Sequence, residues 1–492
     1  MEKRTPGAPY DVLILGAGLG GIGMASRLKA AGIGNFVVIE KADSPGGTWR
    51  DNIYPGAACD TESHLYCYSF SLHLGVSRLY ARQPELLGYA RRLVEEHDLA
   101  PHIRYNAEIV SAEWDDDAGQ WRIGLASGEE LRARSFVPAW GQLNRPALPE
   151  IPGRDDFAGQ AFHSARWPDA LDLTGRRVAS IGNAASAIQY IPEVAGTAAA
   201  LTVFQRSPNW IVPRGDRPYD ATELAAYQAD PDRFRTSQAE LFAWRETTFL
   251  RMREGSDEAQ EIERQARAHL EAQVPDAALR AKLTPDFPLG CKRVLRSDDY
   301  FPALMRDTVA LVTDPIARIV PEGIVTTDGT LHPADVLIFG TGFETQSFQG
   351  PVEVRGIGGR SLRDDWAGGA RAYLGLTAPH FPNMFLIYGP NTNLGHNSIL
   401  SMFEIQFDYI VAAARTLIDT PALSLDVRSA VAEQFDVGLQ AEMSGSAWAG
   451  SCTSWYKNAA GRVVNNWSGP VEAYRAAARF EPGDYIHRFA KA

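Results

Sequence analysis

At 492 residues the chain exceeds what one ordinary hydrophobic core supports, so two or three domains are expected. A composition of 45% hydrophobic, 22% charged and 10% aromatic residues is that of a globular protein and excludes long disorder. The formal charge of −12 argues against nucleic acid or an anionic membrane as a partner. Lys3 and Arg4 precede an apolar run, but Asp11 opens that run and glycines follow it, which fits a nucleotide-binding turn better than a signal peptide. No apolar stretch reaches membrane-spanning length, so a cytoplasmic protein without stable membrane insertion is expected. Cys59, Cys67, Cys291 and Cys452 are scattered and lack CxxC spacing, which predicts packed thiols and no metal site.

In chain order, residues 12–15 read as a short buried parallel strand. Gly16, Gly18 and Gly21 follow as GxGxxG, with helical spacing through Ala25, Leu28 and Ala31. Residues 36–39 form a second buried strand, which Glu40 ends. The glycines allow a tight turn, close approach of a pyrophosphate and packing of the helix on the strand. Glu40 stands where a carboxylate accepts from ribose hydroxyls. With 44 glycines, chance alone yields about 0.3 such matches, so the placement after a strand and before a helix is what gives the motif weight. Pro45-Gly46-Gly47-Thr48-Trp49 then suits either close backbone approach to a flat ring system, through Gly47, Thr48 and Trp49, or an ordinary turn.

The proline-rich stretch 145–153 reads as a linker. Phe157, Gly159, His163 and Trp167, followed by Pro168, make FxGxxxHxxxWP, a pattern expected by chance on the order of once in ten thousand chains. Residues 177–181 repeat the strand pattern, and Gly182-Asn183-Ala184-Ala185-Ser186-Ala187 is a degenerate second fingerprint. Alanine at its third glycine position is a known variant, whereas Ala184 at the second crowds a pyrophosphate. After the next strand, 201–204, Gln205 and Arg206 stand where an acid belongs, and an arginine there suits a ribose 2′-phosphate. Two such units imply electron transfer between two cofactors, the usual pair being a nicotinamide and a flavin. Residues 220–285 are charged and poor in glycine, which predicts a helical insertion.

With these motifs the chain resembles the type I Baeyer–Villiger monooxygenases over nearly its whole length. Relatives that act on nitrogen or sulfur usually end the linker motif with another aromatic. The resemblance implies an α/β fold with two Rossmann-like domains, for FAD and NADP, and a helical insertion. FAD would occupy 1–145 and 340–492, with substrate-facing residues in the second part, and NADPH would occupy 146–335. Within Tyr54–Ser63 the active-site aspartate would be Asp60, and within Gly290–Arg293 the active-site arginine would be Arg293. Lys292 would join Arg206 at the 2′-phosphate, with Gly182 and Ser186 at the second fingerprint and Asn391 in a glycine-rich segment near the flavin. Residues 335–343 resemble the strand and turn re-entering the flavin domain, with Gly340 for the usual alanine. Phe157, Gly159, His163 and Trp167 would couple cofactor binding to domain rearrangement. Trp366, Trp448 and Trp455 are candidates for the pocket wall, with the core as the alternative.

The implied reaction inserts one oxygen atom of O2 into a ketone, giving an ester or lactone, through an anionic flavin C4a-peroxide. A fixed cation beside that anion would hold it unprotonated, and arginine suits this because it does not lose its proton near neutral pH. Asp60 would orient that arginine, and neither metal nor protein nucleophile is required. Alone, Asp60 reads equally as a cap and Arg293 as a surface charge. Oxidation of an amine or thioether is the alternative activity. A disulfide reductase lacks its close cysteine pair here, and a non-catalytic redox sensor rests only on Ala184.

Overall fold

Val12, Leu13 and Ile14 have no exposed surface, as a strand covered on both faces requires. They belong to strand Tyr10–Leu15 of the computed structural model, which describes residues 8–450 and 454–489. This strand lies between Phe36–Ile39 and Glu130–Pro138 and is parallel to both. Gln120–Leu125 and Ile109–Asp115 continue the sheet as an antiparallel meander. Ile103–Arg104 forms one edge and Glu353–Arg355 the other, completing seven strands. A segment from beyond residue 340 thus finishes the sheet that residue 10 began. Helix Leu19–Ala30 shares one core with the 21-residue helix Ile399–Asp419, so this half closes only when distant parts of the chain meet.

A second sheet has five strands, all parallel, in the order Val309–Val312, Ala200–Phe204, Arg177–Ile181, Val336–Phe339 and Gln160–His163. Helix Ala187–Thr197 follows its Arg177–Ile181 strand, repeating the strand–turn–helix order of the first unit. The architecture is α/β with two Rossmann-like sheets.

Residues 220–285 hold helices Ala221–Ala229, Pro231–Thr247, Asp257–Gln273 and Ala277–Leu283. Pro231–Thr247 buries only Phe234 and Arg245, so specific polar bonds rather than a wide apolar stripe seat it. Residues 145–147 run antiparallel to 342–344 where the chain passes between the sheets. Ala147 N–H donates to the Gly342 carbonyl and Glu344 N–H to the Arg145 carbonyl, both at 2.9 Å. Among the described residues no helix is long and apolar enough to cross a membrane, and no cluster of metal-ligating side chains occurs. Cys59 and Cys67 are buried free thiols, whereas Cys291 is disulfide-bonded, which corrects the expectation of packed thiols there. Cys452 lies outside the described residues.

Candidate active site

The first glycine turn leads directly into helix Leu19–Ala30, with Gly18 at its N-cap. Glu40, 5% exposed, accepts from Ala17 N–H at 2.8 Å and from Ala42 N–H at 2.9 Å, and it pairs with Arg50 at 3.2 Å. The carboxylate is therefore fixed beside the turn. Gly47 comes so close to Gly18 that a Cβ on it would lie 3.0 Å from the Gly18 Cα, and its φ of +52° disfavours other residues. Two bare backbone loops thus meet in a cradle that a side chain would fill, as a bound pyrophosphate and flat ring need. Thr48 and Trp49 start the one-turn helix Thr48–Asp51, and the Trp49 indole N–H donates to the Tyr66 hydroxyl at 3.2 Å. Asn391 is buried with φ +59°, and its amide donates to the Val463 and Asn466 carbonyls at 2.9 and 3.1 Å. It fastens the C-terminal stretch to the glycine-rich segment.

The second turn is equally tight: at Gly182, φ +108°, a Cβ would lie 2.4 Å from the Gly340 carbonyl oxygen. Ser186 is the N-cap of the helix beyond. Ala184 is exposed. Gln205, in the place of the acid, is buried and accepts from the Asn183 amide at 2.8 Å. Arg206 beside it is exposed. The Lys292 ammonium donates to the Ser207 hydroxyl at 2.8 Å. Burial, then the neighbouring Arg206 charge, holds the Lys292 pKa below its ordinary value. Two cations and a hydroxyl gathered at one strand end fit a phosphate dianion.

Asp60 and Arg293, 233 positions apart in sequence, form a two-pronged contact on one carboxylate oxygen, with Nη2 at 2.6 Å and Nε at 2.9 Å. Each side chain is about one-third exposed, and both line a cavity of 740 Å³. Arg293 lies two residues before the short strand Leu295–Arg296, which pairs with Ile211–Val212. The loop of Asp60 is held from two sides: Arg214 donates to the Cys59 carbonyl at 3.0 Å and Arg245 to the Asp60 carbonyl at 3.5 Å. Burial pushes the Asp60 carboxyl up, but Arg293, with help from Arg245 and Arg296, outweighs it and leaves the pKa below the ordinary value. The Asp60 charge raises that of Arg293 against its burial. The pair is therefore fully ionised at neutral pH.

The linker motif sits at the passage between the sheets. His163 Nδ1 accepts from Ala165 N–H at 3.1 Å, which leaves the proton on Nε2 to donate to the Gly342 carbonyl at 2.8 Å. Burial lowers its pKa, so the ring is neutral and tied at both nitrogens. Gly159 has no room for a side chain: a Cβ would lie 2.3 Å from the Asp335 carbonyl oxygen and 2.7 Å from the Phe157 ring. Trp167 packs near Tyr190 at 5.6 Å between centroids, and Tyr190 near Tyr54 at 6.0 Å. Aromatic packing thus reaches from the motif to the segment that carries Asp60.

Sequence reasoning missed the second ion pair of this region. Arg245 donates from Nε and Nη2 to Glu62 Oε2 at 2.9 and 2.7 Å, and both side chains are almost fully buried. An arginine on a charged helix gives no signal of burial, since most such residues are solvated. Arg251, buried in a short turn, and Arg296, half-buried on strand Leu295–Arg296, are also on the cavity wall and were missed too. Trp366, Trp448 and Trp455 do not line this cavity; Trp448 is 2% exposed, and the other two pack against the cores. The tryptophan at the cavity is Trp244, on the insertion.

A Baeyer–Villiger monooxygenase of Streptomyces coelicolor is 40% identical over 470 residues, which cover 95% of this chain and 90% of that protein. The chain belongs to the Baeyer–Villiger monooxygenases. The family model for pyridine nucleotide-disulphide oxidoreductases matches residues 13–221 of this monooxygenase. A closed crystal structure of cyclohexanone monooxygenase superposes with a TM-score of 0.88 at 29% identity, covering 98% of this chain and all of that one. OTEMO in complex with FAD and NADP gives 0.87 at 28% identity, covering 96% and 97%.

Proposed function

We propose that this monooxygenase uses NADPH and O2 to convert a ketone to an ester or lactone, releasing NADP⁺ and water, in the cytoplasm. Its cofactors are FAD and NADPH. FAD belongs to 1–145 and 340–492 and NADPH to 146–335, with 220–285 as the insertion. Gly16, Gly18, Gly21, Glu40, Gly47, Thr48, Trp49 and Asn391 would hold FAD. Gly182, Ser186, Arg206 and Lys292 would hold NADPH, the last two at its 2′-phosphate. Bound FAD, once reduced by NADPH, supplies the two-electron activation of O2.

The observation that carries the reading is the Asp60–Arg293 pair on the cavity wall, 2.6 Å apart at its shortest contact. Arg293 keeps a permanent positive charge where negative charge develops on the attacking oxygen and then on the ketone oxygen. Such a preorganised cation contributes about 3–4 kcal/mol to the transition state. Asp60 fixes the guanidinium plane and leaves Nη1 free of that contact. Phe157, Gly159, His163 and Trp167 transmit movement between the two nucleotide units.

The test supplies the purified holoenzyme with NADPH, O2 and a panel of cyclic, linear and aryl ketones together with an amine and a thioether. Products heavier by one oxygen and identified as esters or lactones are expected. N- or S-oxides alone would overturn the reading.

A further inference from the structure

Five arginines line the cavity that holds Asp60, and among the described residues three of them, Arg245, Arg264 and Arg293, have a carboxylate. Arg293 is paired by Asp60 and Arg245 by Glu62. Among the described residues Arg251 and Arg296 make no ion pair, although both line the same cavity. Arg251 is 7% exposed, and its one acceptor is the Gly395 carbonyl, at 3.1 Å from Nη2. Its Nε is buried with no hydrogen-bond partner. Besides Asp60, the acids on the cavity wall, Asp257, Glu258 and Glu261, are exposed to solvent, and Glu261 already pairs with Arg264. They do not neutralise the buried guanidinium.

A buried, unpaired charge is costly, and a protein keeps one where a ligand supplies the counter-charge. Burial, then the positive charges of Arg245, Arg296 and Arg293, pulls the Arg251 pKa down to about 9. Arg251 and Arg296 thus stand without a carboxylate partner on the wall that carries the Asp60–Arg293 pair. The cavity volume of 740 Å³ lies within the usual range for small-molecule sites.

We propose that the substrate is a ketone bearing a carboxylate, which Arg251 and Arg296 bind while the carbonyl is presented to Arg293. The proposal rests on the Baeyer–Villiger reading and narrows its substrate class. Arg251 and Arg296 are binding residues in it and take no part in oxygen transfer. The reaction is unchanged: the keto acid gains one oxygen between carbonyl and migrating carbon, and the carboxylate stays intact.

The experiment measures kcat/KM of the holoenzyme for an aliphatic keto acid and for its methyl ester, with ester or lactone product quantified. Wild type is expected to prefer the acid by tenfold or more. Arg296→Gln and Arg251→Gln are each expected to cut that preference about ten- to a hundredfold, mainly through KM, as loss of a hydrogen bond to a charged group does. The ratio within one variant is independent of how much protein folds, and partly exposed Arg296 serves where Arg251→Gln is unstable. If the methyl ester and simple ketones give esters but the acid is not preferred, or the variants keep the preference, the proposal falls and the Baeyer–Villiger reading stands. If no ketone, charged or neutral, yields an ester, both fall.

Discussion

Arg206 and Lys292 come from either side of the 220–285 insertion and meet at Ser207, the neighbour of Arg206, which Lys292 contacts at 2.8 Å. If they hold the 2′-phosphate, Arg206→Ala and Lys292→Ala should each lower the preference for NADPH over NADH about ten- to a hundredfold, with the KM for NADH little changed. Steady-state kinetics with both coenzymes checks this, and equal losses for the two would contradict it. At this scale the sequence was legible where a residue stands at a fixed offset from a motif. Glu40 and Arg206 are read from their distance to a glycine turn, and Gln205 was seen in the same place without its buried bond to Asn183. Asp60 and Arg293 were legible only through family likeness, since nothing local marks a contact across 233 residues. Arg251 and Arg296 were not legible, because burial of a long cation depends on what packs above it.

The insertion is tied to the first nucleotide unit chiefly at helix Pro231–Thr247, where Arg245 meets Glu62. Tyr80 adds a hydroxyl donor to Glu62 at 3.1 Å. Replacing both charges with apolar groups could be neutral, but removing one strands the other inside. Glu62→Ala is therefore expected to destabilise the protein by about 3–5 kcal/mol. A lowered urea midpoint with the slope preserved would show it; a midpoint matching wild type would contradict the burial of the pair. Helix Pro231–Thr247 shows why helical character in 220–285 was readable while its docking was not. Propensity and charge pattern mark the helix, but its buried residues, Phe234 and Arg245, carry no periodic stripe. The strands behaved differently. Residues 12–15 and 36–39 are continuous apolar runs, and the structure returns them as Tyr10–Leu15 and Phe36–Ile39. Local sequence suffices for a fully buried strand.

Across the whole molecule, the reacting region is assembled from segments far apart in the sequence. A loop of the first nucleotide unit supplies Asp60, the second unit supplies Arg293, the insertion supplies Arg245 and Arg251, and the return segment supplies Gly395. Near the passage His163 holds Gly342, the residue that also receives Ala147 N–H, so one carbonyl joins the motif to both chain crossings. Movement of one nucleotide unit against the other would alter the cavity wall at several points together, which suits an enzyme that must take hydride and then shelter an oxygenating site from water. The two sheets were legible because the strand–turn–helix pattern occurs twice. The cavity was not, because it forms where four distant segments meet. The central claim is that Arg293 serves oxygen transfer and not hydride transfer. The measurement is anaerobic reduction of the bound flavin by NADPH, followed in stopped flow, beside ester yield in air, for wild type and Arg293→Ala. Reduction within a few-fold of wild type with ester formation lowered about a hundredfold or more is the expected result. Ester formation at the wild-type rate, or equal loss of both steps, would contradict the assignment.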